Sequence, residues 1–267
     1  MPGLMAFWSY ALAACAFASV VLWRARQRGD RSDALLLAAC SVTAIWAAVA
    51  AVYGRTDPMT MTAGTLRNLI WVILLYDMSG GSRVAAPSGL RLVFAAVTLS
   101  IGLHLALSAV AFLAPLTAAQ FNDVLMTGSL LRITTSAGAL VLVHNVYGQA
   151  APESRLRIRG PMLGLTLMWG YELNLSTLAY LQGVLAPSVE ELFQLRGAFM
   201  TVIAPLFALT GGLERSLRIK LSRAATFQSL SLLGICIYLS VMAILATAFR
   251  RSEAEWATLA QSLLGAR

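Results

Sequence analysis

Residues 34–53 read ALLLAACSVTAIWAAVAAVY, twenty positions from Ala34 to Tyr53 without one charged side chain. As a helix, about 20 residues rise about 30 Å, which is the thickness of a bilayer's hydrocarbon core. Similar blocks follow one another along the chain, and a soluble fold has no use for several in succession. The composition agrees: 58% of the 267 residues are hydrophobic, 12% are charged and the mean hydropathy is +0.74. Soluble domains carry about twice that share of charge.

Working outward from this block, the sequence divides into eight expected spans. They cover Leu4–Trp23, Ala34–Tyr53, Met59–Met78, Leu90–Leu113, Val124–Tyr147, Pro161–Leu185, Phe193–Gly212 and Ala224–Phe249. The third is the weakest, because Arg67 and Asn68 cut its clean apolar core to Leu69–Leu75. The first lacks a preceding basic region and a small-residue cleavage site, so it reads as a retained span rather than a signal peptide. The expected fold is an all-α, polytopic transmembrane bundle with its N-terminus outside. Residues 1–255 form one membrane domain, and Trp256–Leu264, within 256–267, reads as the start of an incomplete ninth span.

The formal charge is +8. Its distribution points to membrane topology and anionic headgroups rather than nucleic acid, since no basic stretch carries interleaved aromatics. With the N-terminus outside, the expected cytoplasmic connectors hold thirteen Lys and Arg, from Arg24, Arg26, Arg28 and Arg31 through to Arg215, Arg218, Lys220 and Arg223. The opposite connectors and ends hold five: Arg55, Arg67, Arg196, Arg250 and Arg251. Orientation follows this bias. Two of the basic connectors, Ser154–Arg159 and Ser216–Arg223, alternate basic and apolar residues. The pattern fits plain anchoring, and it also fits two short strands paired on the cytoplasmic face.

Cys15, Cys40 and Cys236 fall inside apolar blocks without CxxC spacing, and His104 and His144 are isolated, so no metal-site pattern appears. The informative groups are the ionisable ones inside spans, because hydrocarbon disfavours unpaired charge. Arg132 lies eight residues into the fifth span, and Glu172 lies eleven residues into the sixth, beside Asn174. The two spans are consecutive and antiparallel, with the two Cα levels roughly 8 Å apart. Arg67 and Asn68, about 12 Å into the third span, are placed to join the same cavity. Three readings of Arg132, Glu172, Asn174 and Arg67 stand together: an Arg132–Glu172 pair that fixes helix register, a polar pocket for a ligand or protons, and a Glu172 kept neutral by its surroundings. Asp77 and His144 read as interfacial. His104, flanked by Ser100 and Ser108, reads as a helix-to-helix hydrogen bond. Gly128, Ser129, Ser136 and Gly138 suit close helix contact, and Pro205 falls inside the seventh span.

A family resemblance rests on Arg218-Ile-Lys-Leu-Ser-Arg223, then Phe227-Gln-Ser-Leu-Ser-Leu-Leu-Gly234, Tyr238-Leu and Met242. Pro152-Glu-Ser-Arg155, Tyr171-Glu-Leu-Asn-Leu175, Arg196-Gly197, Pro205-Leu206 and Trp8-Ser-Tyr-Ala-Leu-Ala13 support it. These segments resemble the membrane region of the PrsK-type sensor histidine kinases associated with exosortase and PEP-CTERM systems. The resemblance implies a bacterial inner-membrane sensor module followed by a kinase part beyond residue 267. That part would use ATP and magnesium, form a homodimer and phosphorylate a response regulator. No catalytic, cofactor-binding or metal-binding residue of that kind is expected within this chain. A small transporter or channel with a pocket around Arg132 and Glu172 is the alternative. An integral-membrane enzyme would need a cluster of His or acidic residues that the sequence lacks.

Overall fold

The computed structural model describes residues 3–26, 31–79 and 88–208, and within them every regular element is helical. Seven helices follow one another: α1 (Leu4–Ala25), α2 (Arg31–Tyr53), α3 (Pro58–Met78), α4 (Ser88–Leu113), α5 (Ala118–Gln149), α6 (Pro152–Gln182) and α7 (Pro187–Ala208). Five of them, α1, α2, α4, α5 and α7, are long and apolar enough to cross a membrane. Helices α3 and α6 fall short of that standard because they carry the polar groups of the interior. The expected eighth and ninth spans, the end of the seventh beyond Ala208 and the Ser216–Arg223 segment lie outside the described residues.

Each helix packs on its neighbour in sequence, and α7 returns to α1, so the bundle closes into a ring; α3 also meets α5 across it. Short connections dictate this order, because a link of a few residues obliges consecutive helices to lie antiparallel and adjacent. At the end of the bundle where α1 begins, the connectors 54–57, 114–117 and 183–186 are four residues each. Their chemistry is that of helix termination and initiation. Gly54 and Gly183 take positive φ values of 82° and 94°, a conformation open to glycine at little cost. Asp57 caps α3 by accepting from the Met59 amide, with Pro58 in the first turn. Thr117 and Gln120 form a reciprocal capping box at the start of α5.

Large apolar side chains remain on the outside of the ring, among them Leu12, Ile45, Leu99 and Val202. A surface of this kind suits lipid rather than water. Inside, one core runs through Phe17, Trp71, Leu142, Trp169 and Phe207, and a smaller one gathers Met61, Leu125, Leu175, Val189 and Phe193 at the α1-start end.

Two sequence expectations need correction. Ser154–Arg159 is not strand-like: it forms the first turns of α6, where intrahelical bonds satisfy the backbone and no partner strand is needed. Within it Ile158 is buried, and Arg155 turns back to donate to the Ala150 and Gly148 carbonyls at the end of α5. A cation there complements the helix C-terminus. Helix α6 therefore starts nine residues before the expected Pro161, which sits inside it. Likewise α7 begins at Pro187, six residues before the expected Phe193, which changes the depth of every side chain it carries.

Candidate functional site

Counted along the helices from the end where α1 begins, Arg67, His104 and Arg196 lie nine residues in and Glu172 ten, roughly 14 Å from that end. Four helices, α3, α4, α6 and α7, thus deliver ionisable groups to one level. Glu172 and Arg67 are 3% and 0% exposed, and Arg196 is 6% exposed. The Glu172 carboxylate is shared: Arg196 Nη2 donates to Oε2, and Arg67 Nη2 reaches the same oxygen at 3.4 Å. Arg67 Nη2 also donates to Asn68 Oδ1 at 3.1 Å. Both guanidinium groups lie over the Trp46 ring, at 4.2 Å and 4.5 Å from its centroid. An indole face attracts a desolvated cation by about 2 kcal/mol or more, so Trp46 supplies part of what the shared carboxylate cannot.

Neighbouring contacts fix the cluster in place. Tyr10 donates from α1 to the Phe193 carbonyl at 2.9 Å, and Ser9 donates to the Gln194 carbonyl at 2.7 Å. Tyr171 donates to the Leu192 carbonyl at 2.6 Å and stacks on Phe199. Both flanks of Arg196 on α7 are thereby tied to other helices. Gly197 lets α1 come this close: a Cβ there would stand 2.5 Å from the Ser9 carbonyl carbon and 2.6 Å from the Tyr10 nitrogen. On the far side, Thr65 and His104 Nδ1 are hydrogen-bonded at 2.6 Å, the interhelical bond expected of that histidine.

Arg132 comes from α5, fourteen residues in and so about one turn deeper by count than Glu172. It lines the same cavity as Glu172, but the expected Arg132–Glu172 pair is not made. Among the described residues no carboxylate lies within ion-pair distance of Arg132, because Glu172 closes on Arg67 and Arg196 instead. Asn174 also departs from expectation. Two residues along a helix turn the side chain by about 200°, and Asn174 is exposed on the far face of α6. The interior therefore gathers three of the four expected site residues, Arg67, Arg132 and Glu172. It adds Arg196, which the sequence places among the connector arginines, together with Trp46 and Tyr10. Asp77 is half-buried and His144 exposed, both toward the opposite end of the bundle.

The cluster borders two small interior spaces of about 20 Å³ each. One is lined by Tyr10, Trp46, Arg67, His104, Glu172 and Arg196, and the other by Gly128, Ser129, Ser176 and Val184; Arg132 lines both. Above them a crevice of about 280 Å³ opens between Ala6, Tyr53, Thr56, Leu185 and Gln194. Arg55 and Phe193 border all three spaces. Arg55 is held across the junction by a 2.6 Å ion pair to Glu190, a 2.7 Å bond to the Val184 carbonyl and the Phe193 ring 4.7 Å beneath it. Glu190 is partly exposed, so this pair is the weaker kind that water can exchange.

Several buried polar atoms of residues that line the inner space have no protein hydrogen-bond partner: Thr60 Oγ1, Arg67 Nε and Nη1, and His104 Nε2. Groups of this kind are uncommon in interiors and mark a place where something else bonds. Chemically, each of the two spaces has room for about one water. No family model matches the chain, and neither a curated protein nor a solved structure is significantly similar to it.

Proposed function

We propose that this chain is the membrane-embedded sensor module of a histidine kinase. In this reading the crevice at the α1-start end faces the cell exterior, and the signal passes along α7 into the segments that follow. The observation that carries the proposal is the placing of Arg196. It belongs to α7, closes on Glu172 of α6 and lies beside a cavity that shares Tyr10, Arg55 and Phe193 with the crevice. A ligand that competes for these guanidinium groups changes the hold of α6 on α7, which is the differential contact any ligand-driven shift requires.

The arginine bias of the connectors supports the outward orientation, and the PrsK-type resemblance supports the kinase assignment and the inner membrane of a bacterium. Full spans at 224–249 and beyond 256 would carry the chain to the cytosol, where ATP, magnesium, a homodimer partner and a response regulator would meet it. The transport alternative draws on the same charged cavity. It requires an opening at the opposite end, whereas the crevice bordered by Arg55 and Phe193 opens at the α1-start end.

The test uses membranes containing the full-length gene product, incubated with labelled ATP. Phosphohistidine is expected in the wild type, with an altered level in Glu172→Gln at equal protein abundance. A product that takes up no phosphate, or a reading frame that continues into no kinase core, overturns the proposal.

A further inference from the structure

Eight residues in from the end where α1 begins, about 12 Å along each helix, outward-facing side chains meet hydrocarbon and should be apolar. Leu12 of α1, Ile45 of α2, Leu66 of α3 and Leu195 of α7 stand at that level, and all four are exposed. On α6 the same level is occupied by Asn174, which also faces outward. Its amide makes no hydrogen bond among the described residues. Comparable groups elsewhere are answered within their own helix. Thr166 and Thr177 donate to the Met162 and Leu173 carbonyls, and Asn145 donates to the Val141 carbonyl. An amide turned toward hydrocarbon without a partner is costly, and polar groups in such positions hold helices together.

We propose that the outer face of α6 is a homodimer seam, on which Asn174 meets the Asn174 of a second copy of this chain. Leu163, Leu167, Gly170, Asn174, Thr177 and Leu181 succeed one another at alternating spacings of four and three residues. That is the 3.5-residue repeat of a coiled-coil seam. The leucines of this row are exposed, and a Cβ added at Gly170 would meet nothing within 4 Å, so the row is open and low enough at its middle for close helix approach. A primary amide carries both donors and an acceptor, which makes it its own complement. Two copies inserted the same way, and related by a two-fold axis along the membrane normal, bring their Asn174 side chains to one depth by symmetry. Any other occupant, the expected span at 224–249 included, has to match that depth through its own sequence. A single Asn in such a seam fixes register and the number of helices that join.

The full chain, freed of Cys15, Cys40 and Cys236 and given one cysteine at a time, is oxidised in its membranes and separated without reductant. Leu163→Cys, Leu167→Cys, Thr177→Cys and Leu181→Cys are expected to give a band of twice the mass. Leu12→Cys, Ile45→Cys and Leu195→Cys, outward at the depth of Asn174 on other helices, should not. Asn174→Leu should weaken self-association roughly 3- to 10-fold, read by energy transfer between labelled copies in lipid vesicles, as loss of an interhelical hydrogen bond implies. Asn174→Gln, which keeps the amide, should weaken it less. Because this side chain faces outward, both changes leave the interior of the bundle intact. Equal yields from seam and control positions, no dimer band at any seam position, or an Asn174→Leu chain that associates as tightly as the wild type overturns the proposal. A disulfide from Leu167→Cys to a cysteine placed within 224–249 of the same chain, in place of the dimer, gives the face to that segment and overturns it as well. These readouts need neither kinase nor ligand, so they stand apart from the sensor reading.

Discussion

Two arginines converge on Glu172 Oε2, so removing the carboxylate leaves both cations buried and unanswered. Glu172→Ala is therefore expected to lose about 3–5 kcal/mol, read as a lowered thermal midpoint in detergent. Replacing Glu172, Arg67 and Arg196 together by Leu or Met of similar volume should recover most of that loss, because the penalty lies in unpaired charge rather than in missing attraction. A triple variant as unstable as Glu172→Ala would contradict this. Trp46 gives a second check. Trp46→Leu should weaken the hold on both cations it faces and lower the midpoint further than the lost area alone, whereas Trp23→Leu, on an exposed position, should not. Much of this centre was legible in the sequence: Glu172, Arg67 and Arg132 stand out because charge in an apolar run demands an explanation. Arg196 did not, because Glu190 and Glu191 made the first turns of α7 read as connector and placed the arginine near a boundary. Asn174 was misjudged for a different reason, since nearness in sequence ignores which face of the helix a residue occupies.

Close approach decides how the helices meet. At Gly197 the obstruction to any Cβ is α1 backbone, which cannot swing aside, whereas at Gly164 it is the Phe207 ring, 2.7 Å away at Cζ. Gly197→Ala is accordingly expected to cost about 1–3 kcal/mol or more, and Gly164→Ala distinctly less because a ring edge can tilt. Thermal midpoints of the two variants, measured side by side, check the order; the reverse order would show that α1 and α7 are not in backbone contact there. Small residues of α5 were readable as contact points from sequence, and Gly128 and Gly138 do face His104 and Val97 of α4. The start of α6 was not readable, because alternating basic and apolar residues satisfy a strand pattern and a helix N-terminus alike. Only the nearby α5 carbonyls that Arg155 reaches distinguish the two.

On the scale of the molecule, the closed ring places its crevice and all of the four-residue connectors of the described region at one end. A sensor of external solutes requires that end to face outward. Composition and connector charge were enough to expect a helical membrane bundle, since both are properties of whole segments and tolerate local error. The closure of α7 on α1 was beyond them, because it depends on contacts such as Ser9 with Gln194 that leave no periodic trace. The deciding measurement is labelling of single cysteines, in a chain freed of Cys15, Cys40 and Cys236, by a membrane-impermeant maleimide applied to intact cells. Thr56→Cys should be labelled in intact cells, and Arg26→Cys only after the membrane is opened. Labelling of Arg26→Cys with Thr56→Cys protected would put the crevice in the cytoplasm and contradict an outward-facing sensor.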